Sequence, residues 1–230
     1  MNLQSYVIAN ILNKNQTSNR TSNNISLRTP NISTIPKNAF GVFCTIRRSQ
    51  KLPTYPEDIH GCIGYWSPDY SIVPPIKLLQ HLIDVGRSAM YKDERHTYFP
   101  PIETDPNAII EIDFMLLPTI PINPVSGLLE NGDQFANSKY GLIVSDNSNM
   151  SRATFLPDVF PDTISWQDIK GKVISKAGAN TSNRNNTFLA YKIKQIKARL
   201  FKRNNIKKKH TKKAKLKTKI FVKNFNIKKY

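Results

Sequence analysis

Cysteine is scarce in this chain, which has two, Cys44 and Cys62, among 230 residues. Two thiols cannot form a disulfide framework, and they do not supply the paired Cys-x-x-Cys ligands of a structural zinc site. Both are expected to be reduced thiols, which favours an intracellular protein of the cytoplasm or the nucleus. No metal site is predicted.

Long apolar runs are also absent. No segment approaches the ~20 apolar residues of a membrane-spanning helix, and residues 1–6 lack the basic and apolar regions of a signal peptide. We therefore expect no membrane association. Hydrophobic residues still make up 39% of the chain, which is enough for one sizeable core or for two small cores that share a cleft.

Acidic residues are missing from the last part of the chain. Residues 192–230 hold seventeen of the 34 Lys and Arg and no Asp or Glu, so residues 1–191 carry 17 basic against 16 acidic side chains. A block of like charge is expected to be disordered when free and to bind a polyanion such as nucleic acid, or to direct nuclear import. The predicted polyanion-binding residues are Lys207, Lys208, Lys209, Lys212, Lys213, Lys215 and Lys217. The alternative is a spacer, because abundant Asn, Lys and Ile indicate an AT-rich genome.

Hydrophobic periodicity predicts three helices. The first covers residues 3–12, the second begins at Pro74-Pro75 and ends near residue 91, and the third begins after the capping residue Ser165 and ends at Gly178. Between the first helix and the first strand lies a polar tract, rich in Asn and Ser, that is too poor in apolar residues to fold alone.

Strands are predicted in five places, and one of these strands carries two carboxylates. Glu111 and Asp113 alternate with apolar residues, so one face of that strand should be solvated, while a weak metal site there is less favoured. The irregular order of helices and antiparallel strands favours an α+β fold. The predicted strands are 39–46, about 59–64, 108–117, and a hairpin formed by 140–144 and 152–156.

The segment Ile59-His60-Gly61-Cys62-Ile63-Gly64 is the most informative motif in the chain. Two glycines three residues apart allow the backbone to adopt positive φ or to lie against another group. They could present the Cys62 thiol to a substrate, and the His60 imidazole could help to ionise it. Cys62 and His60 are therefore the candidate catalytic residues. Two alternatives remain open, a ligand-binding turn formed by Gly61, Ile63 and Gly64, and a turn with a purely structural role.

The motif resembles Leu-Arg-Gly-Cys-Ile-Gly, the hallmark of the AMMECR-type domain family, named after the AMME syndrome candidate region. The resemblance extends over about residues 39–180, with the N-terminal helix also similar. The further similar blocks are Asp93-x-Arg95, Phe99-Pro100-Pro101, 111–116, 141–144, 153–159 and 176–178.

The resemblance implies a two-part α+β fold with antiparallel strands, flanking helices and a cleft that the Gly-Cys-Ile-Gly segment faces. Asp93 and Arg95 would contribute to binding at this cleft, or would form a salt-bridged helix end. The family's activity is unassigned, so the cofactor is unknown. Bacterial and archaeal members are associated with Memo-type and radical-SAM proteins, which implies partners from a shared pathway.

The predicted organisation has three parts: an N-terminal helix and linker (1–38), an AMMECR-type domain (39–191) and a basic tail (192–230). The leading functional hypothesis is a thiol-dependent modification or transfer enzyme. The alternative is a non-catalytic binding or regulatory protein that uses the cleft for a partner and the tail for nucleic acid. The replacement of the hallmark arginine by His60, a titratable ring, also allows a family member that has lost its activity.

Overall fold

Six antiparallel strands form one sheet at the centre of the structure, a computed structural model that describes residues 1–13, 30–51, 58–146, 151–161, 163–179 and 186–201. The order across the sheet is β2-β1-β3-β6-β4-β5, so β2 and β5 are its edges. The strands are β1 (Ala39–Arg47), β2 (Ile59–Trp66), β3 (Ile109–Pro121), β4 (Gly141–Asp146), β5 (Ser151–Phe155) and β6 (Asn186–Arg199).

Three α-helices accompany the sheet, which confirms the predicted α+β class. They are α1 (Leu3–Leu12), α2 (Pro75–Tyr91) and α3 (Trp166–Ala177). As the sequence predicted, Ser165 caps α3 by accepting a hydrogen bond from the Asp168 N–H, and Gly178 ends it with a φ of +63°. Within the described part of the chain, no helix combines the length and apolar character that crossing a membrane requires.

The helices cover one face of the sheet, which we call the outer face. Helix α2 lies against β1 and β2, with α1 beside it and the fully buried Cys44 and Ile112 in the core beneath. Helix α3 lies against β4 and β5, where Val173 is buried. Helix α1 is part of this core, because Ile11 fills the space above Gly86 of α2. The N-terminal helix therefore packs with the sheet and does not stand apart with the linker.

The sheet curls so that its two edge strands approach each other. Arg152 of β5 lies with its guanidinium carbon 5.2 Å from the ring centroid of Trp66 on β2, although four strands separate these edges in the sheet order. The Tyr70 hydroxyl, just beyond β2, also bonds the Ser145 hydroxyl of β4. We call the enclosed surface the inner face. Its side chains come from both halves of the chain.

Strand β6 was not predicted, and it occupies the middle of the sheet. It pairs with β3 from Ile109↔Arg199 to Pro121↔Leu189, and with β4 from Gly141↔Tyr191 to Asp146↔Asn186. Residues 192–199, which the sequence analysis placed in the basic tail, are thus part of the sheet. The predicted boundary at residue 191 falls inside this strand. The lysines predicted to bind polyanions, 207–217, lie outside the described residues.

Candidate functional site

Cys62 lies on the inner face of β2, in an extended strand. This confirms the strand predicted at about 59–64. The glycines beside Cys62 do not have positive φ, so the motif forms no turn and pairs with β1 instead. Thr45 stands opposite Cys62 and donates a hydrogen bond from its hydroxyl to the sulfur, Oγ1 to Sγ 3.1 Å. The thiol is partly exposed. A hydroxyl that donates to sulfur favours the thiolate over the thiol.

Asp93 and Arg95 hold the free edge of β2 at Cys62. The Asp93 carboxylate accepts from the Cys62 N–H at 2.9 Å, and Arg95 donates to the Cys62 carbonyl at 3.2 Å. The two side chains also form a bidentate ion pair, with N–O distances of 2.6 and 2.9 Å. These bonds keep the pKa of Asp93 down at about 2, although burial opposes the shift. The pair thus replaces a neighbouring strand at this point of the edge.

The two motif glycines have steric roles. A Cβ on Gly61 would lie 1.9 Å from the carbonyl oxygen of Ala89, where the end of α2 crosses the strand, and a Cβ on Gly64 would lie 2.3 Å from the ring of Phe43. Ile63 points away from the thiol, toward the helices, and packs against the outer core. Gly61 and Gly64 therefore let the helix and the Phe43 ring approach the strand that carries Cys62.

His60 is buried, with 3% of its surface exposed. Its Nδ1 lies 3.3 Å from an amino group of Arg48, and its Nε2 lies 3.3 Å from the Met90 carbonyl oxygen. Arginine can only donate and a carbonyl can only accept, so this geometry assigns the hydrogen to Nε2. Arg48 also stacks on the ring of Phe99, 4.8 Å from its centroid. The His60 ring thus links β2 to the end of α2, and both of its nitrogens have hydrogen-bond partners.

Glu111 and Asp113 are buried on the inner face, contrary to the solvated strand face that the sequence predicted. They are 4% and 2% exposed. Glu111 accepts from Arg47 at 2.6 Å and from Lys197 at 2.8 Å, whereas Asp113 accepts from the neutral Gln195 at 2.8 Å. Burial is the main cause that raises the pKa of Asp113 to about 6, and the charge of Glu111 adds to it. Asp113 can therefore gain or lose a proton near neutral pH.

The second half of the chain brings three polar side chains to this face, and sequence reasoning missed all of them as site residues. The Lys176 ammonium donates to the Thr154 carbonyl at 2.8 Å and lies 4.5 Å from the centroid of the Phe155 ring. The Tyr191 hydroxyl lies 2.9 Å from the Thr154 hydroxyl. Gly141 leaves the space that the Tyr191 ring fills. The sequence did contain one signal, because residues 176–178 resemble one of the further blocks of the family.

Electrostatics at Cys62 combine opposing effects. Burial, with a smaller effect of the Asp113 charge, raises the pKa of the Cys62 thiol, while the Thr45 hydroxyl and the cations Arg95 and Lys176 lower it, and the balance lies above the ordinary value. Burial therefore outweighs the groups that would help to ionise this thiol. Cys44, on the outer face, is fully buried, and its pKa is raised far more. The resting Cys62 is a protonated thiol, because burial and the Asp113 charge outweigh the three groups that favour its anion.

Comparisons with known proteins identify the family of this chain and a similar fold. The AMMECR1 family model matches residues 4–206, which is most of the chain. The chain belongs to the AMMECR1 family. An uncharacterised protein from Pyrococcus horikoshii has a similar solved structure, with a TM-score of 0.54 and 19% sequence identity over 85% of this chain and 89% of that chain. No curated protein matches this chain in sequence.

Within this AMMECR1 domain, the motif positions divide into two groups. Cys62, Asp93 and Arg95 meet at the inner face and the edge of β2, whereas the Lys176 ammonium contacts Thr154 and Phe155 of β5. His60, a residue of β2, lies against the end of α2, and Arg48 places a permanent cation beside its ring. Among the described residues, no group of three or more His, Cys, Asp or Glu is arranged to hold a metal ion. A thiol beside a hydroxyl donor and cations can bind an anion or support sulfur chemistry.

Proposed function

We propose that this chain is a thiol-dependent enzyme of the modification or transfer class, with Cys62 as the nucleophile. The observation that carries the proposal is the Thr45 hydroxyl, which donates to Sγ at 3.1 Å. Arg95 and Lys176 add two positive charges that favour the sulfur anion. Hydroxyl donors and cations beside a cysteine are the usual means of activating it.

The reaction proceeds in two steps that balance without an added oxidant or reductant. The Cys62 sulfur forms a bond to an electrophilic carbon of the substrate, and the bond from that carbon to its leaving group breaks. The leaving group takes the electron pair and the thiol proton. A second nucleophile then displaces the group from sulfur, gives up its own proton, and restores the thiol.

The raised pKa fits a site that ionises its thiol when substrate is present. In the resting chain, burial keeps the proton on sulfur. A protonated cysteine is a poor nucleophile, so it reacts slowly with electrophiles that reach the site by chance. A substrate whose leaving group accepts the proton removes this restraint. The alternative, a non-catalytic binding protein, uses the same inner face without sulfur chemistry.

Alkylation by neutral iodoacetamide separates these two functions. In the folded chain, we expect Cys62 to be modified at least about tenfold faster than Cys44, which is fully buried. The rate should rise with pH, with a midpoint above the ~8.5 of a free thiol, because burial raises the pKa. Peptide mass spectrometry measures both sites at once. Thr45→Val should lower the alkylation rate of Cys62 and leave the rate of Cys44 unchanged. If both cysteines react equally slowly, Cys62 is not the nucleophile and the binding function remains.

The charge of residues 192–230 favours a second, independent function in polyanion binding. In the described part of this segment, Lys192, Lys194, Lys197 and Arg199 are exposed on β6. Thirteen further Lys and Arg follow residue 201. Lysines contact phosphates as point charges, so binding to nucleic acid would depend on salt and very little on sequence.

A further inference from the structure

Strand β6 runs beneath both apolar cores of the outer face. Its apolar side chains on this face pack in these cores, Phe188 and Ala190 with α3, and Ile196 and Ala198 with α1 and α2. Because side chains alternate along a strand, Lys192 and Lys194 also lie on the outer face, between the two cores. Both are exposed. A pair of cations, roughly 7 Å apart along the strand, therefore separates the two helix-covered parts of the sheet.

Two further lysines flank this pair. On one side, the Lys194 ammonium donates to the Thr34 carbonyl at 3.1 Å, and another exposed lysine follows three residues after Thr34. On the other side, the Lys192 ammonium lies 5.8 Å from the ring centroid of Tyr140, and the residue before Tyr140 is again an exposed lysine. We call these four residues the lysine strip: Lys37, Lys139, Lys192 and Lys194.

The charges of the lysine strip are not compensated within the described part of the chain. There, no carboxylate oxygen lies within 4.0 Å of any of its ammonium groups, whereas Lys197, on the inner face of the same strand, pairs with Glu111 at 2.8 Å. The segments that border the strip contain no Asp or Glu; they are 32–38, 116–122, 136–142 and 188–196. A surface of one sign attracts a ligand of the opposite sign.

We infer that the phosphate backbone of a nucleic acid binds along the lysine strip and so crosses the outer face of β6 between α1 and α3. This inference rests on the proposed polyanion binding, because it locates that binding on the folded domain. Strand β6 leads directly into the thirteen further Lys and Arg that follow residue 201, so one polyanion can contact both. Lysines contact phosphates as point charges and read no bases. The strip would therefore set the path of the nucleic acid and not its sequence.

The salt dependence of DNA binding by the full-length chain tests this location. Each phosphate contact on duplex DNA contributes about 0.9 to the slope of log affinity against log salt. Lys192→Gln/Lys194→Gln removes two contacts, so it should lower the magnitude of the slope by about 1.8 and weaken binding at about 50 mM salt. Lys192→Arg/Lys194→Arg keeps both charges and should leave the slope unchanged. Fluorescence anisotropy of labelled random duplex DNA at several salt concentrations measures the slope.

Lys172→Gln is the matched control for the single variants. Lys172 is an exposed lysine of α3 that lies on the side of Phe155 and β5, away from the strip. Lys192→Gln and Lys194→Gln should each lower the slope by about 0.9, whereas Lys172→Gln should not change it. Thermal melting verifies that each variant is folded.

The outcomes separate this location from polyanion binding itself. If the double glutamine variant keeps the wild-type slope, or if Lys172→Gln lowers the slope as much as Lys192→Gln, the nucleic acid does not follow the strip, while binding by residues 202–230 stands. If the full-length wild-type chain binds no DNA, both the strip and the proposed polyanion binding fail.

Lysine acetylation maps the strip without any substitution. An N-hydroxysuccinimide ester of acetate forms an amide with each accessible lysine and releases N-hydroxysuccinimide, and peptide mass spectrometry measures every site. Saturating duplex DNA should slow acetylation of the four strip lysines several-fold and leave the rate at Lys172 unchanged. Equal protection of Lys172, or no protection of Lys192 and Lys194 by bound DNA, would overturn the inference.

Discussion

Glu111 and Asp113 lie two residues apart on the inner face of β3, and the structure treats their charges differently. Glu111 is held between the cations Arg47 and Lys197, whereas Asp113 accepts from the neutral amide of Gln195. A buried carboxylate without a cation destabilises the folded state. The cost is visible in the pKa of Asp113, which is raised to about 6.

Replacing this carboxyl should stabilise the protein at neutral pH. The folded chain holds the Asp113 proton up to about pH 6, while the unfolded chain releases it near 4. The stabilisation from protonation is therefore complete below pH 4 and lost as the pH rises through 6. Asp113→Asn keeps an acceptor for Gln195 and removes the charge. We expect it to raise the free energy of unfolding by about 1–3 kcal/mol more at pH 7.5 than at pH 4.

Urea unfolding at the two pH values measures this difference. Glu111→Gln is the matched control, because it removes a carboxylate that two cations compensate, and it should lower stability at pH 7.5. If wild type and Asp113→Asn show the same pH dependence, the Asp113 carboxyl has an ordinary pKa and its charge does not destabilise the folded chain.

The close contact between Gly61 and the end of α2 gives a prediction of the opposite sign. The added methyl group of Gly61→Ala would meet the Ala89 carbonyl oxygen at 1.9 Å, so strand and helix must separate. We expect a loss of about 1–3 kcal/mol or more from such overpacking. Gly171 lies in α3 with no atom within 4 Å of a built Cβ. Gly171→Ala should therefore stabilise the protein by roughly 0.5–1 kcal/mol, as alanine does in helices.

Thermal or urea unfolding of these two variants is sufficient to check the prediction. The contrast matters more than either value, because both substitutions add the same methyl group to a glycine in a regular element. An equal effect at the two positions would show that α2 does not press on β2 as the structure describes.

Two truncations separate the sheet from the basic residues beyond it. A chain ending at Phe201 keeps β6 whole, and we expect it to fold. A chain ending at Tyr191 loses residues 192–199 and with them most of the pairing between β6 and β3, so we expect it to lose cooperative unfolding. Circular dichroism during heating distinguishes the two. A cooperative transition in the shorter chain would mean that this half of β6 does not support the fold.

The chain ending at Phe201 also locates the polyanion-binding residues. Full-length protein carries thirteen Lys and Arg beyond that point. With about a third of the cations of residues 192–230 engaged, its affinity for random duplex DNA should fall by orders of magnitude between about 50 and 200 mM salt. The truncated chain should bind far more weakly at both salt concentrations. Equal affinity of the two chains would show that residues 202–230 do not contact the DNA.

Local signals in the sequence predicted much of the fold but not its central strand. Helices α2 and α3 follow from proline, capping and periodicity, and the β4–β5 hairpin from two short strand-like segments on either side of an Asp-, Asn- and Ser-rich sequence. Strand β6 was missed because its lysines were interpreted as a charged tail. Its two isoleucines, Ile193 and Ile196, lie on opposite faces of the strand and pack in different clusters, so this half of β6 lacks the regular alternation that marks a strand in a sequence.

The candidate site was also predicted only in part, because some of its residues come together only in the folded sheet. The motif identified Cys62 and its neighbours, because rare residues at short spacing are visible in a sequence. The burial of Asp113 and the approach of Lys176 depend on the curl of the sheet, which brings together residues far apart in the chain. No local pattern specifies such a curl, so a strand face that reads as solvated is enclosed instead.

The position of β6 also sets the order in which the protein can be completed. Strands β2-β1-β3 and the β4–β5 hairpin are not adjacent in the sheet, and the last strand in the sequence joins them. During synthesis, the first half can fold around its helices, but Lys176 and Tyr191 cannot take their places opposite Cys62 until β6 inserts. A ribosome-bound chain halted before residue 186 would therefore contain a folded motif with an unassembled site.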